Sequence, residues 1–193
     1  MKTSVKWFKI GFAFLLGLLF IISPLYAYRG NYAFAYELTF LSNFLSGIFM
    51  GIVGILMCFD KKVPQFLFLD FAILLLIVFF VTVSFSGNFK MTGVMFILHI
   101  INPVLAAAYY LVFSDQTATE KKFVPTALVM PVLYLVFSLL YGTLTGNYIY
   151  FFLDYEQNGI GYMCLFLSGI SAGTVLVSFF LYDLNRLFRK QIR

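Results

Sequence analysis

Charge is what this sequence has least of. Lys, Arg, Asp and Glu make up 11% of its 193 residues, against about a quarter in an ordinary soluble domain. That shortage, with 62% hydrophobic residues and a mean hydropathy of +0.96, excludes a water-soluble globule and calls for a membrane solvent. Cysteine is scarce too. Cys58 and Cys164 are the two present; their spacing fits no metal site, and their different depths rule out a disulfide. The sequence has no G-x-S-x-G elbow, no H-E-x-x-H zinc pattern and no glycine-rich phosphate loop. One histidine, His99, is present in the whole chain. No cofactor is expected. The surplus of base over acid, +5, does not indicate nucleic acid, because the basic residues gather at the ends of apolar runs.

Those runs are what the sequence has in plenty. They cover residues 10–27, 39–59, 66–85, 92–113, 124–141 and 159–181, each close to the roughly 20 residues that a helix needs to cross a bilayer. Short polar breaks separate them, and none leaves room for a soluble domain. The expectation is one all-α integral membrane domain over 1–193, with six transmembrane helices. With six spans, Lys2, Lys6, Lys9, Lys61, Lys62, Lys121, Lys122, Arg186, Arg189, Lys190 and Arg193 fall on one side, leaving Arg29 and Lys90 opposite. The positive-inside rule then makes both termini cytoplasmic. Tyr26, Tyr28, Tyr32, Tyr36, Tyr148, Tyr150 and Tyr155 cluster on the other side, as an interfacial aromatic belt does. The expected location is a cell membrane. The lysine-rich start and Leu25-Tyr26-Ala27 also fit a cleaved signal peptide. The first run exceeds the usual ~7–15 residues of such a peptide, so it is read as a retained span.

Small residues mark close helix contacts. Gly47-x-x-x-Gly51 with Gly54, and Gly169-x-x-x-Gly173, are read as packing sites within the bundle rather than as dimer contacts. Met95-Phe-Ile-Leu-His-Ile-Ile-Asn-Pro-Val-Leu105 is the stretch that carries chemistry. An ionisable ring inside a span is a functional-site candidate by default. Pro103 cannot donate an N–H to the carbonyl of His99, four residues back, so a kink is expected there. Thr39, Ser42, Asn43, His99, Asn102 and Asp154 fall in the half of the chain opposite the termini, where they can converge on one cavity. A hydroxyl and a histidine are the minimum for acyl transfer: the ring takes the proton and the oxygen attacks. Counting about 1.5 Å per residue from the terminal-side helix ends puts Thr39 roughly 30 Å up and His99 roughly 21 Å. Asn43, at about 24 Å, lies closer to the histidine, so Thr39 needs tilt, a kink or a shifted helix start to reach it.

Leu38-Thr39-Phe40-Leu41-Ser42-Asn43, His99-x-x-x-Pro103, Pro131-x-x-Tyr134 and Tyr148-x-Tyr150-x-Phe-Leu-Asp154 with Gly159 occur in the order seen in a family of bacterial six-span membrane proteins. That family is related to the eukaryotic androgen-induced and androgen-dependent membrane proteins, which are threonine hydrolases of fatty acid esters of hydroxy fatty acids. The resemblance covers nearly the whole chain in span number and motif order. It implies catalytic Thr39 and His99 and an acyl-chain substrate drawn from membrane lipids. Ser42, Asn43, Asn102 and Asp154 would be supporting or substrate-binding residues. Two other functions compete with this lipid-ester hydrolase: a small-molecule-binding subunit of a transporter, and a structural membrane protein without catalysis.

Overall fold

The computed structural model describes residues 3–84 and 92–192. Among them the chain forms helices and no strands, and six helices are long and apolar enough to cross a membrane. They are α1 (Thr3–Ala27), α2 (Leu38–Cys58), α3 (Phe66–Ser84), α4 (Val94–Phe113), α5 (Lys121–Thr145) and α6 (Ile160–Ile192). This is the all-helical, six-span architecture expected from the apolar runs. Lys2, Lys90 and Arg193, used above, and residue 85 at the end of the third apolar run lie outside the described residues.

Backbone polar groups have no water to bind in a bilayer, so each segment satisfies its own as a helix. Contact between helices then depends on how closely backbones approach. α1 and α2 form the most extensive pair in the bundle, and glycine makes it possible. A Cβ placed on Gly47 would lie 2.9 Å from the Gly17 carbonyl oxygen, and one on Gly17 would lie 3.1 Å from the Gly51 nitrogen. A Cβ on Gly54 would meet the Phe14 ring at 2.9 Å. The packing expected of Gly47 and Gly51 is therefore met, with α1 as the partner. Gly169 and Gly173 behave differently. An added Cβ at either would touch nothing within 4 Å, so they are not a helix–helix contact; they line an open groove between α3 and α6.

α3 is the most buried helix, with Leu69, Ala72, Ile73 and Leu75 almost wholly enclosed. Its one acid, Asp70, accepts a hydrogen bond from the Thr126 hydroxyl of α5 at 2.9 Å. Cys58 and Cys164 are free and exposed, unpaired as expected, and neither is a buried packing residue.

α5 and α6 are longer than the apolar runs that announced them. The first turns of α5, Lys121–Leu128, are wound as a 3-10 helix containing Pro125. α6 continues past residue 181 because its polar side chains there are themselves used. Asn185 is fully buried, donates to the Tyr110 carbonyl at 3.0 Å and accepts from the Gln116 N–H at 3.1 Å. Arg189 donates to the carbonyls of Ser114 and Val112, and Lys9 of α1 reaches that of Phe113. The last carbonyls of α4 have no partner within their own helix. Two cations and an amide, drawn from the two ends of the chain, supply them and complement the negative end of the helix dipole.

These contacts also set the levels of the helices. On α1, Lys6 reaches Asp60 just beyond the end of α2, at 2.6 Å, whereas Lys9 reaches the end of α4. Three residues along a helix correspond to about 4.5 Å, so α4 ends deeper in the bundle than α2. That offset matters at the opposite end.

Candidate functional site

Thr39 and His99 meet. Thr39 stands in the first turn of α2, and its Oγ1 lies 3.3 Å from His99 Nε2. Counting residues from a common level opened a gap between them, which the packed helices and the length of the imidazole close. The other ring nitrogen, Nδ1, lies 2.8 Å from the Met95 carbonyl. A carbonyl only accepts, so Nδ1 carries the hydrogen, and in the neutral ring Nε2 presents its lone pair to the Thr39 hydroxyl. Hydroxyl, base and orienting acceptor thus lie in sequence, the arrangement that activates a nucleophile.

The backbone around His99 is not an ordinary helix. Residues Ile97–Ile101 form a π turn, and the Asn102 N–H bonds to the Ile97 carbonyl five residues back. Pro103 follows, and its missing N–H cannot serve the carbonyls four and five residues before it, those of His99 and Leu98. The Leu98 carbonyl takes a hydrogen bond from Asn43 Nδ2 at 3.4 Å instead. The irregularity expected from Pro103 is present, then, as a π register with α2 supplying the replacement donor.

Asn43 is a neighbour of the histidine's backbone rather than of its ring. Its Nδ2 also donates to the Thr39 carbonyl at 2.8 Å, and its Oδ1 accepts from Asn102 Nδ2 at 2.6 Å. Asn102 donates in turn to Ser23 of α1 at 2.9 Å. Ser42 donates to the Thr39 carbonyl at 3.3 Å. Ser42, Asn43 and Asn102 are all fully buried, and none lines the neighbouring cavity. Asn43 and Asn102 tie α1, α2 and α4 together behind the Thr39–His99 pair, while the bond of Ser42 stays within α2. Asp154 is set apart from them. Its carboxylate accepts from the Gln157 N–H at 2.9 Å and caps the short helix Tyr155–Asn158, and it does not line the cavity either.

Thr39 and His99 face a cavity of about 300 Å³. Its wall is largely apolar and comes from α2, α3, α5, α6 and the segment before α6, including Val81, Pro131, Leu135, Phe152 and Ile170. The groove between α3 and α6, of about 510 Å³, shares Ile77, Val81, Ile170 and Thr174 with it. The groove and the cavity are therefore neighbours, with these four side chains between them.

Seven polar residues of this wall were not singled out by sequence reasoning as site residues: Glu37, Thr82, Tyr134, Ser138, Tyr150, Ser171 and Thr174. Tyr150 accepts the Leu38 N–H at 3.1 Å, filling one of the open donors at the start of α2. Burial pushes its phenol up to about 12, so it stays neutral. Glu37 precedes Leu38 without capping the helix through its side chain; its carboxylate accepts the Tyr28 hydroxyl at 2.6 Å. Burial, then the bond to Glu37, pushes the Tyr28 phenol well above its usual range, which keeps it a donor. The order of residues carried a signal for Tyr134 and Tyr150, which lie in the tyrosine-bearing motifs. Ser138 carried none, since serines are common in apolar helices. Among the described residues no group of three or more His, Cys, Asp and Glu side chains comes together to hold a metal ion. Compared with known proteins, the chain matches no family model, no curated protein and no solved structure.

Proposed function

We propose that the protein is an intramembrane hydrolase of acyl esters, with Thr39 as nucleophile and His99 as general base. The observation that carries this reading is the 3.3 Å approach of Thr39 Oγ1 to His99 Nε2, with Nδ1 bound to Met95, at the wall of an apolar cavity. His99 Nε2 takes the hydroxyl proton as Thr39 Oγ1 attacks the ester carbonyl carbon. The tetrahedral intermediate then collapses, the carbon–oxygen bond to the alcohol breaks, and the imidazolium returns the proton to that alcohol. Water, deprotonated by the same ring, attacks the acyl-threonine and releases the fatty acid. Near the start of α2 the positive end of the helix dipole favours the oxyanion formed in each half of the cycle.

The groove between α3 and α6, which borders the cavity, is where an acyl chain would enter from the bilayer. The basic residues at the terminal end support an orientation with both termini inside, which would put the site in the outer half, and the resemblance implies a bacterial cytoplasmic membrane. The resemblance in motif order points to the same chemistry. Thr39→Ala and His99→Ala are each expected to lower ester turnover by at least about 10²-fold while the purified protein stays folded. Lipid-ester hydrolysis followed by mass spectrometry tests this. Turnover surviving in either folded variant removes that residue from the mechanism, and a copurifying lipid without turnover favours the binding-subunit reading instead.

A further inference from the structure

Among the described residues, the cavity beside Thr39 and His99 is lined by two hydroxyls without a hydrogen-bond partner and by one acid, with no Lys or Arg beside it. Tyr134 and Ser138 lie four residues apart on α5, one helical turn, and both line the cavity. Ser138 is fully buried, and the Tyr134 oxygen is likewise shielded from solvent. Neither has a hydrogen-bond partner among the described residues. The Tyr134 phenol stands near that of Tyr150 without meeting it in hydrogen-bond geometry. Buried hydroxyls are rarely left unpaired, because the lost hydration is not replaced. Two such donors on one wall of an apolar chamber are matched by a ligand that brings acceptor oxygens.

The charge of that ligand follows from the rest of the wall. Glu37 lines the cavity, and no Lys or Arg does so among the described residues. Among the described residues its carboxylate accepts a hydrogen bond from a neutral phenol, Tyr28. Arg29, nearby in sequence, lays its guanidinium over the Tyr26 ring at 4.0 Å. A second negative charge brought into this low-dielectric chamber would be repelled by Glu37 and would lose its hydration without gaining a cation.

We propose that the cavity selects electrically neutral acyl esters and excludes lipids bearing a free carboxylate or phosphate, with Tyr134 and Ser138 donating to the oxygens of the bound ester. This rests on the hydrolase reading of Thr39 and His99. It departs from the substrates that the family resemblance implies, since a fatty acid ester of a hydroxy fatty acid carries a free carboxylate.

The test is a matched pair on the full chain in lipid nanodiscs: one acylated hydroxy fatty acid as the free acid, and the same molecule with its carboxyl group converted to an N-methylamide. The scissile ester is identical and one charge differs. The neutral form is expected to show kcat/KM at least about tenfold higher, since a like-charge contact easily supplies that discrimination. Glu37→Gln, which still accepts from Tyr28, should narrow the ratio severalfold. Free acid cut as well as or better than the neutral form overturns the proposal. Retention of the two forms with the scissile ester replaced by an amide, read by mass spectrometry, separates binding from chemistry. Retention of the neutral amide, weakened in Tyr134→Phe and Ser138→Ala, supports the selectivity even if neither ester turns over, a result that would defeat the hydrolase reading alone. Equal or stronger retention of the charged amide, or retention of neither, defeats the selectivity.

Discussion

At the scale of single residues, the arrangement turns on which nitrogen of His99 holds the hydrogen. The Met95 carbonyl decides it, and the decision costs no additional side chain. Around the pair, the support is made of neutral amides and hydroxyls rather than ions, which suits a medium where an unpaired charge is expensive. Asn102 is the middle of that support, bonded to Asn43 at 2.6 Å and to Ser23 at 2.9 Å. Replacing it by leucine leaves Asn43 Oδ1 buried without its donor. Asn102→Leu should therefore lower stability by about 1–3 kcal/mol, measured by thermal unfolding in detergent. An unchanged transition would show that the amide chain contributes little.

At the scale of the element, α4 is where local sequence and tertiary structure are hardest to separate. Pro103 was legible as a break, and His99 was legible as costly. The π register was not legible, because a missing N–H can be answered by a kink, a bulge or a donor from another helix. Here the answer came from Asn43, 60 residues away in sequence from Pro103. Pro103→Ala restores the N–H and lets a regular α-helix form through the site. That change rotates His99 relative to Thr39. Turnover should fall by about 10²-fold, the cost of a displacement of roughly 1 Å at a reacting group, with thermal stability undiminished. Full activity in this variant would mean that the π turn does not position the ring.

The same scale explains the two glycine motifs. Gly47-x-x-x-Gly51 and Gly169-x-x-x-Gly173 read alike in the sequence, yet one packs against Gly17 and the other borders open space. Spacing reports that a backbone can be approached closely. It does not report what approaches it.

At the scale of the whole molecule, six spans followed from hydropathy and length, and the helices lie where those runs predicted, with α5 and α6 extended by their polar ends. The levels of the helices did not follow. Residue counting assumes a common plane, whereas Lys6 and Lys9 anchor the ends of α2 and α4 at different depths. This is why Asn43 looked nearer to the histidine than Thr39 did. The open hydroxyls of Tyr134 and Ser138 were also beyond the sequence, since only the packed bundle shows which donors find no acceptor. Orientation in the membrane is a prediction at this scale. Cysteines introduced at Asn147 and Lys62, in a chain with Cys58 and Cys164 replaced by serine, should divide by side. An impermeant thiol reagent on intact cells should modify Asn147→Cys, and Lys62→Cys only after permeabilisation. The reverse pattern would place the Thr39–His99 pair in the inner half.

The account stands or falls on whether Thr39 is an activated nucleophile. The most direct measurement is covalent labelling of the purified protein with a fluorophosphonate, with the modified peptide located by mass spectrometry. The expected result is one adduct on Thr39, retained in Thr39→Ser and absent from folded His99→Ala and Thr39→Ala. An adduct on another residue, or undiminished labelling without His99, would contradict it.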